Sequence, residues 1–212
     1  MNRLHRTLLL ATVIASPLPL HAQQADDYAA MLSYLNTSRI DGRALSGADG
    51  AITVNMTAGD LNQQANLLGI ANGSNAHIAI NARQQHSANQ VLGDGPMDAS
   101  ASIGGQALSG ARGVAMINQA SGTGNATINV VTATLAQQGI RESNDEALAS
   151  SGALVSAGGQ AAATRGRPAG TRSVAVEATA LQGFDGVLQL NQIAGSGNAT
   201  ANQLSISVQS TP

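Results

Sequence analysis

The chain contains no cysteine, no lysine and no tryptophan, and its aromatic residues are Tyr28, Tyr34 and Phe184. Without cysteine, no disulfide can stabilise the fold. A globular core of this size normally contains several aromatic rings, so a thick core is excluded. Alanine, glycine, serine, threonine, asparagine and glutamine dominate instead. This composition favours a narrow, regular all-β structure with a thin core of small side chains.

Charge is scarce as well. Charged residues make up 10% of the chain, with a formal net charge of −2. The sequence has no basic patch, which argues against a nucleic-acid partner. Its apolar runs are shorter than the roughly 20 residues of a membrane-spanning helix, so we expect no membrane insertion. Low charge together with abundant asparagine and glutamine is typical of segments that stack on copies of themselves.

Residues 1–22 have the three parts of a secretory signal peptide. Arg3 and Arg6 give a positive start, residues 8–15 form a short apolar core, and residues 20–22 form an acceptable cleavage triplet. The sequence therefore predicts an exported protein that crosses the periplasm and ends outside the cell or on its surface.

A 24-residue unit occurs three times, at residues 44–67, 107–130 and 180–203. Aligned without gaps, eight columns are identical in all three copies and contain only alanine, leucine, glycine and asparagine. Fixed glycines and asparagines among exchanging apolar positions indicate a repeat of backbone shape rather than three reactive centres. Each copy has the pattern strand, glycine turn, strand, which fits either a hairpin or a β-arch. The glycines assigned to turns are Gly50, Gly113, Gly186, Gly59, Gly122 and Gly195.

One asparagine in the second strand of each repeat is predicted to face inward. Asn66 alternates in phase with Leu68 and Ile70, and Asn129 and Asn202 occupy the same column. A buried amide without partners costs about 1–3 kcal/mol, whereas equivalent amides one strand spacing apart can bond to each other. We therefore predict an asparagine ladder; the alternative is a local hydrogen bond near each turn.

The first strand of each repeat is predicted to bury its apolar face, which includes Ile52 and Val54, and to point Asn55 and its equivalents the other way. Amide side chains at equivalent positions could still pair across neighbouring strands. The residues predicted to mediate stacking and self-association are Asn66, Asn129, Asn202, Asn118, Asn191, Gln119 and Gln192.

The remaining segments complete the predicted organisation. Residues 23–43 form an N-terminal helical segment, with a helix at 24–38 that either caps the repeats or is marginal. Residues 44–138 hold repeats 1 and 2, residues 139–172 form a flexible insertion, and residues 173–212 hold repeat 3. Alternating patterns predict further strands at 75–84 and 173–181. The predicted fold is all-β: a short repetitive β-solenoid, or stacked β-arches, with a short N-terminal helix.

The string Asn-Gln-x-x-Gly-x-Gly-Asn-Ala at 118–126 and 191–199 resembles the repeats of bacterial functional-amyloid proteins of the Fap type. It is more loosely similar to curlin repeats. The first copy departs at Met56 and at 59–62, and the chain lacks the Cys-x-x-Cys of some Fap subunits. Three imperfect repeats fit a minor component better than a major one.

The resemblance implies an adhesin-like, exported structural protein of extracellular fibres in biofilm matrix, acting as a minor or nucleating subunit or as an accessory. Its implied partners are copies of itself, other fibre subunits and an outer-membrane secretion pore.

No catalytic, cofactor or metal site is predicted. His77 and His86 lack metal-ligand spacing and a cysteine partner. Asp49 and Asp185 lie in glycine turns, but the second repeat has Arg112 in their column, which favours turn aspartates over calcium ligands. We therefore expect that the protein is not an enzyme.

Two alternative functions are compatible with the predicted fold. One is a non-polymerising cell-surface adhesin that binds a glycan or a host protein through a solenoid face. Glycan recognition usually uses stacked rings, and Phe184 is the one ring within a repeat. The other is a β-helix enzyme acting on polysaccharides, for which the predicted sheet faces lack a carboxylate cluster.

Overall fold

A computed structural model describes residues 36–74, 76–85, 97–136, 154–156 and 170–209. Within these ranges every regular element is a β-strand, and none is a helix. The strands are β1 (Thr37–Ile40), β2 (Asp49–Ala58), β3 (Gln63–Gly73), β4 (Arg83–Gln85), β5 (Ala99–Ile103), β6 (Arg112–Ser121), β7 (Ala126–Ala136), β8 (Leu154–Ser156), β9 (Arg172–Val176), β10 (Asp185–Ala194) and β11 (Ala199–Gln209). Among these residues, therefore, no helix is available that could cross a membrane.

The strands form four parallel sheets, which we call A to D. Sheet A is β1-β5-β9, sheet B is β2-β6-β10, sheet C is β3-β7-β11, and sheet D is β4-β8. Each repeat thus contributes to one strand of sheet B and one of sheet C, and the segment that precedes it supplies one strand of sheet A. We call the three layers tier 1 (residues 37–85), tier 2 (99–156) and tier 3 (172–209), with tier 2 in the middle.

The register is uniform, because every position of the repeat pairs with the same position of the next tier. Gly113 lies between Gly50 and Gly186 in sheet B, and Asn129 lies between Asn66 and Asn202 in sheet C. The sequence columns are therefore physical columns that run perpendicular to the strands.

The glycine turn within each repeat is a β-arch and not a hairpin. β2 and β3 belong to different sheets, as do their equivalents in the other tiers. The backbone bonds of the arch run to the neighbouring tier: Gly122 donates to Ala58 O at 2.8 Å, and Gly195 donates to Ser121 O at 2.8 Å. The arch therefore continues the stack around the bend.

Sheet B lies between sheets A and C, because neighbouring side chains of β6 reach opposite ways. Gln119 Nε2 donates to Ser38 O and Ser102 O in sheet A, both at 2.9 Å. Asn118 Nδ2 donates to Ala65 O in sheet C at 2.8 Å. Successive residues of a strand face opposite sides, so both faces of the middle strand are buried. The apolar core, which includes Ile40, Ile52 and Ile117, fills the space between sheets A and B.

The corner between sheets A and B repeats an unusual backbone conformation. Leu45, Leu108 and Leu181 all have positive φ, at 58°, 55° and 64°. A left-handed conformation costs a residue with a side chain about 1–2 kcal/mol. Leu108 is fully buried in the apolar core and Leu181 packs against it, so burial offsets the strain in tiers 2 and 3, whereas Leu45 in tier 1 is exposed.

Several predicted segments differ from the structure. Residues 24–35 of the predicted helix lie outside the described residues, but Thr37 and Ser38 are in β1, because they pair with β5. In the predicted strand 75–84, Arg83 and Gln84 lie in β4, which continues to Gln85. Residues 76–82 are not part of a strand.

Two further predicted segments also differ from the structure. In the predicted strand 173–181, β9 ends at Val176, because the corner turn begins at residue 178. In the predicted insertion 139–172, residues 154–156 form β8, which pairs with β4, and Arg172 begins β9. Residues 139–153 and 157–169 lie outside the described residues, so their flexibility stays a prediction.

Gly122→Ala should destabilise the stack, because a Cβ there would collide with the backbone oxygen of Gly195 and φ is +115°. We expect a loss of about 3 kcal/mol or more in the free energy of unfolding, measured as the urea dependence of β-sheet circular dichroism. Gly124→Ala is the matched control, since φ is +71° with open space around it, and should cost about 1 kcal/mol. Equal losses for both variants would contradict the close stacking of the arches.

Candidate functional site

Six asparagines line the interface between sheets B and C in two parallel columns, which we call the asparagine double column. In the sheet C column, Asn129 Nδ2 donates to Asn66 Oδ1 and Asn202 Nδ2 donates to Asn129 Oδ1, both at 3.0 Å. The sheet B column consists of Asn55, Asn118 and Asn191. There Asn118 Nδ2 donates to Asn55 Oδ1 at 3.1 Å, and Asn191 Nδ2 donates to Asn118 Oδ1 at 2.9 Å.

The two columns are also bonded to each other across the arch. Within tier 2, Asn129 Nδ2 lies 3.1 Å from Asn118 Oδ1, and it also lies 3.1 Å from Ile117 O. With Asn66 Oδ1, this nitrogen has three acceptors in reach but only two hydrogens, so one hydrogen is shared. These bonds run to other tiers and across the arch, whereas the local alternative required bonds near each turn.

Burial of these amides is deepest in the middle tier. Asn118 and Asn129 are 0% exposed and Asn191 is 5% exposed. The sheet B asparagines do point away from the Ile52 face, as the alternation predicted, but that second face is covered by sheet C. Alternation defines two faces of a strand without showing what covers either one.

The predicted glutamines stack in a separate column on the other face of sheet B. Gln192 Nε2 donates to Gln119 Oε1 at 2.8 Å and to Ala175 O at 3.2 Å. Tier 1 has Met56 at this position, so the column of amides contains two members. Gln119 also links sheet B to sheet A through its bonds to Ser38 O and Ser102 O. At the same interface Ser121 Oγ donates to Ser38 Oγ at 2.8 Å.

The arches carry another asparagine column that was not among the predicted stacking residues. Asn125 Nδ2 donates to Asn62 Oδ1, and Asn198 Nδ2 donates to Asn125 Oδ1, both at 2.9 Å. Asn125 is fully buried. Its identity in all three copies was the signal that could have identified it.

The six predicted turn glycines all adopt positive φ, from +97° at Gly50 to +145° at Gly195. Those of the middle tier also approach a neighbouring backbone so closely that a Cβ would clash: Gly113 against Gly50 O and Gly122 against Gly195 O. The glycines therefore serve both the turn conformation and the close spacing of the tiers.

The double column has a direction, because its amide groups donate hydrogen bonds from each tier to the tier of lower number. Among the described residues, nothing accepts a hydrogen bond from Asn55 Nδ2 in tier 1, and nothing donates to Asn202 Oδ1 in tier 3. One end of the column thus offers a donor and the other an acceptor.

The same two ends leave backbone groups and apolar side chains uncovered. Among the described strands, those of tiers 1 and 3 pair on one side only. Ile70 in tier 1 is 64% exposed, and Val174 and Val176 in tier 3 are 49% and 42% exposed. In the middle tier, the residue that pairs with Val174 is Ala101, which is fully buried.

Ionisable groups contribute little to this site. The side-chain hydroxyl and backbone N–H of Thr171 both donate to Asp98, at 2.6 and 2.7 Å, and lower the pKa of that carboxyl. His77 is exposed, and His86 lies outside the described residues. Within the described ranges, no three histidine, aspartate or glutamate side chains are grouped as a metal site would require.

A comparison of the sequence with known families now identifies its class. The sequence model described as the functional amyloid protein FapB/FapC family matches residues 20–209. The chain therefore belongs to this family of structural amyloid proteins. Membership implies self-association into fibres outside the cell or at its surface. No solved structure matches the chain.

Asn118→Ala tests how much the buried double column contributes to stability. The substitution removes a fully buried amide from the middle tier and breaks its hydrogen bonds to Asn55, Asn129 and Asn191. We expect a loss of about 3 kcal/mol in the free energy of unfolding, measured by urea unfolding. Asn72→Ala, at an exposed position of β3, should change it by about 0.5 kcal/mol or less. If the two variants unfolded at the same urea concentration, the double column would not be a major source of stability.

Proposed function

We propose that this chain is a minor or nucleating subunit, or an accessory, of extracellular amyloid fibres in biofilm matrix. In this proposal the tiers form a short β-solenoid, and the predicted asparagines and glutamines mediate stacking between copies. The observation that carries the proposal is that, within the described part of the chain, the two ends of the stack present unpaired strand edges with the same residue columns.

A second copy can continue each column without changing the register. Asn55 of one copy would lie on Asn191 of another, and Asn66 would lie on Asn202, at the strand spacing of about 4.8 Å. The free donor of one end then meets the free acceptor of the other. Such a head-to-tail contact does not close on itself, so it generates an open filament.

The uncovered edges also provide the driving force for this contact. An edge strand with free N–H and C=O groups is a template for another strand, and Ile70 and Val174 add exposed apolar surface to it. Stacking of copies would cover both. The ends of the stack therefore favour a second copy of the same chain over a differently shaped partner.

Irregularities in tier 1 support a minor role rather than that of the main subunit. Met56 interrupts the glutamine column. Leu61 has a left-handed φ of 57° where tiers 2 and 3 have Gly124 and Gly197. Long uniform fibres are favoured by identical tiers, so an uneven tier at one end suits a chain that starts or modifies a fibre.

The route to the fibre follows from the predicted signal peptide. In our proposal, residues 1–22 direct the chain into the periplasm and are removed, and a secretion pore in the outer membrane passes the remainder to the cell surface. There it meets other fibre subunits.

Assembly of purified residues 23–212 tests the proposal. We expect thioflavin-T-positive fibres with a meridional reflection at about 4.7–4.8 Å, and we expect small amounts of them to seed unfolded copies of the chain. The double variant Asn129→Ala and Asn202→Ala should lengthen the lag phase at least severalfold, because it removes two of the three sheet C amides.

The control for this experiment is Asn72→Ala, which removes an exposed amide from the same sheet and should assemble like the unmodified chain. A stable monomer that neither polymerises nor seeds would refute the proposed function. The chain would then be better explained as a surface-binding module.

A further inference from the structure

Charged residues are placed unevenly along the columns, and this becomes important at a junction between copies. The inference rests on the proposed function, since it concerns tier 3 of one copy in contact with tier 1 of the next. Because the register is uniform, the residues that would meet at such a junction can be identified one by one.

The first charged column alternates within the chain but not across a junction. Asp49, Arg112 and Asp185 occupy equivalent positions of β2, β6 and β10, and all three are exposed. Arg112 therefore separates the two carboxylates by two strand spacings. At a junction, Asp185 of one copy lies directly beside Asp49 of the next, one spacing of about 4.8 Å away.

A second column also has carboxylates at both ends, with a glycine in place of the arginine. Gly104 donates to Ile40 O at 2.8 Å and Glu177 donates to Ile103 O at 2.9 Å, which aligns Asp41, Gly104 and Glu177. Glu177 also accepts from the backbone N–H of Gly105 at 3.0 Å. A Cβ on Gly104 would collide with the Glu177 carboxylate, so the glycine leaves room for it. At a junction no glycine tier lies between Glu177 and Asp41 of the next copy.

The positive groups near these columns do not remove the repulsion. Arg39 pairs with Asp41 inside tier 1, but both side chains are substantially exposed, and such pairs are weak. Arg43 follows at the same corner, in a column with Gln106 and Thr179, which carry no charge. Arg112 faces both Asp49 and Asp185 of its own copy and so cannot fully neutralise either.

We propose that the contact between copies is controlled by these two carboxylate pairs, Asp185 with Asp49 and Glu177 with Asp41, so that fibre elongation depends on ionic strength. Two unit charges at one strand spacing in water repel each other, and salt near 1 M reduces that repulsion strongly because the Debye length falls to about 3 Å. The backbone and amide bonds of the junction then form against a much smaller opposing force.

Seeded elongation measures this directly. Preformed fibres of residues 23–212 are extended with soluble chain carrying Asp49→Asn and Glu177→Gln, which keep side-chain shape and the acceptor for Gly105. At low salt we expect elongation about tenfold faster than with the unmodified chain. Between low salt and about 1 M NaCl, the unmodified chain should accelerate by about tenfold and the double variant by less than about twofold.

Asp60→Asn is the matched control. It is compared with the single variants Asp49→Asn and Glu177→Gln, because each of the three substitutions removes one negative charge. Asp60 is exposed on the same tier, but its column continues with Thr123 and Ser196, so no carboxylate meets it at a junction. It should keep the rate and salt dependence of the unmodified chain.

The outcomes separate this inference from the function on which it rests. If all variants elongate at the same rate and with the same salt dependence, the carboxylate pairs do not control the contact between copies. The proposed function is unaffected by that result. If neither the unmodified chain nor any variant assembles at any salt concentration, the proposed function fails, and this inference fails with it.

Discussion

The structure depends on buried amide groups that find their hydrogen-bond partners in the neighbouring tier. Asn118 and Asn129 are fully buried, and an unsatisfied amide at such a position would cost about 1–3 kcal/mol. A single tier satisfies its own asparagines only in part: Asn129 Nδ2 reaches Ile117 O and Asn118 Oδ1 within tier 2, whereas every acceptor of Asn118 Nδ2 lies in tier 1. The amides therefore make each tier dependent on the next, and they penalise any slip in register, since a shift by one residue would place an asparagine against an apolar side chain.

The corners enforce the same register by a steric route. Gly113 and Gly122 approach the backbone of a neighbouring tier too closely for any side chain. Leu108 adopts a left-handed conformation that leucine ordinarily avoids. A corner of this shape can stack only on another corner of the same shape, so the strained positions align wherever the amides align. Backbone geometry and amide bonding thus specify one arrangement together, and this agreement compensates for a core that is poor in large side chains.

The repeat itself allowed much of this arrangement to be predicted, because identical columns in sequence became columns in space. Sequence could not decide between hairpin and arch, since the glycines permit both bends and only the pairing of β2 with β6 selects the arch. It also could not show that Asn118 is buried, because the cover on that face comes from sheet C. Sheet A was missed for a different reason: β1 and β5 place Arg39 beside Ser102 and Ser38 beside Ala101, so the stacked strands share too little sequence to reveal their pairing.

Attraction and repulsion are located at the same two ends of the stack, and they differ in range. The amide and backbone bonds form only at about 3 Å and only in register, whereas the carboxylates at Asp49 and Glu177 act over roughly 8–10 Å at ordinary salt concentrations. An approaching copy would therefore meet the repulsion before it could form any bond. Once in place, it would gain a full set of strand bonds that outweighs a few solvent-exposed like charges, because each exposed pair contributes little. Charges placed this way slow the formation of a contact far more than they weaken it, which suits the proposed role of a chain that stays unassembled during export and assembles durably afterwards.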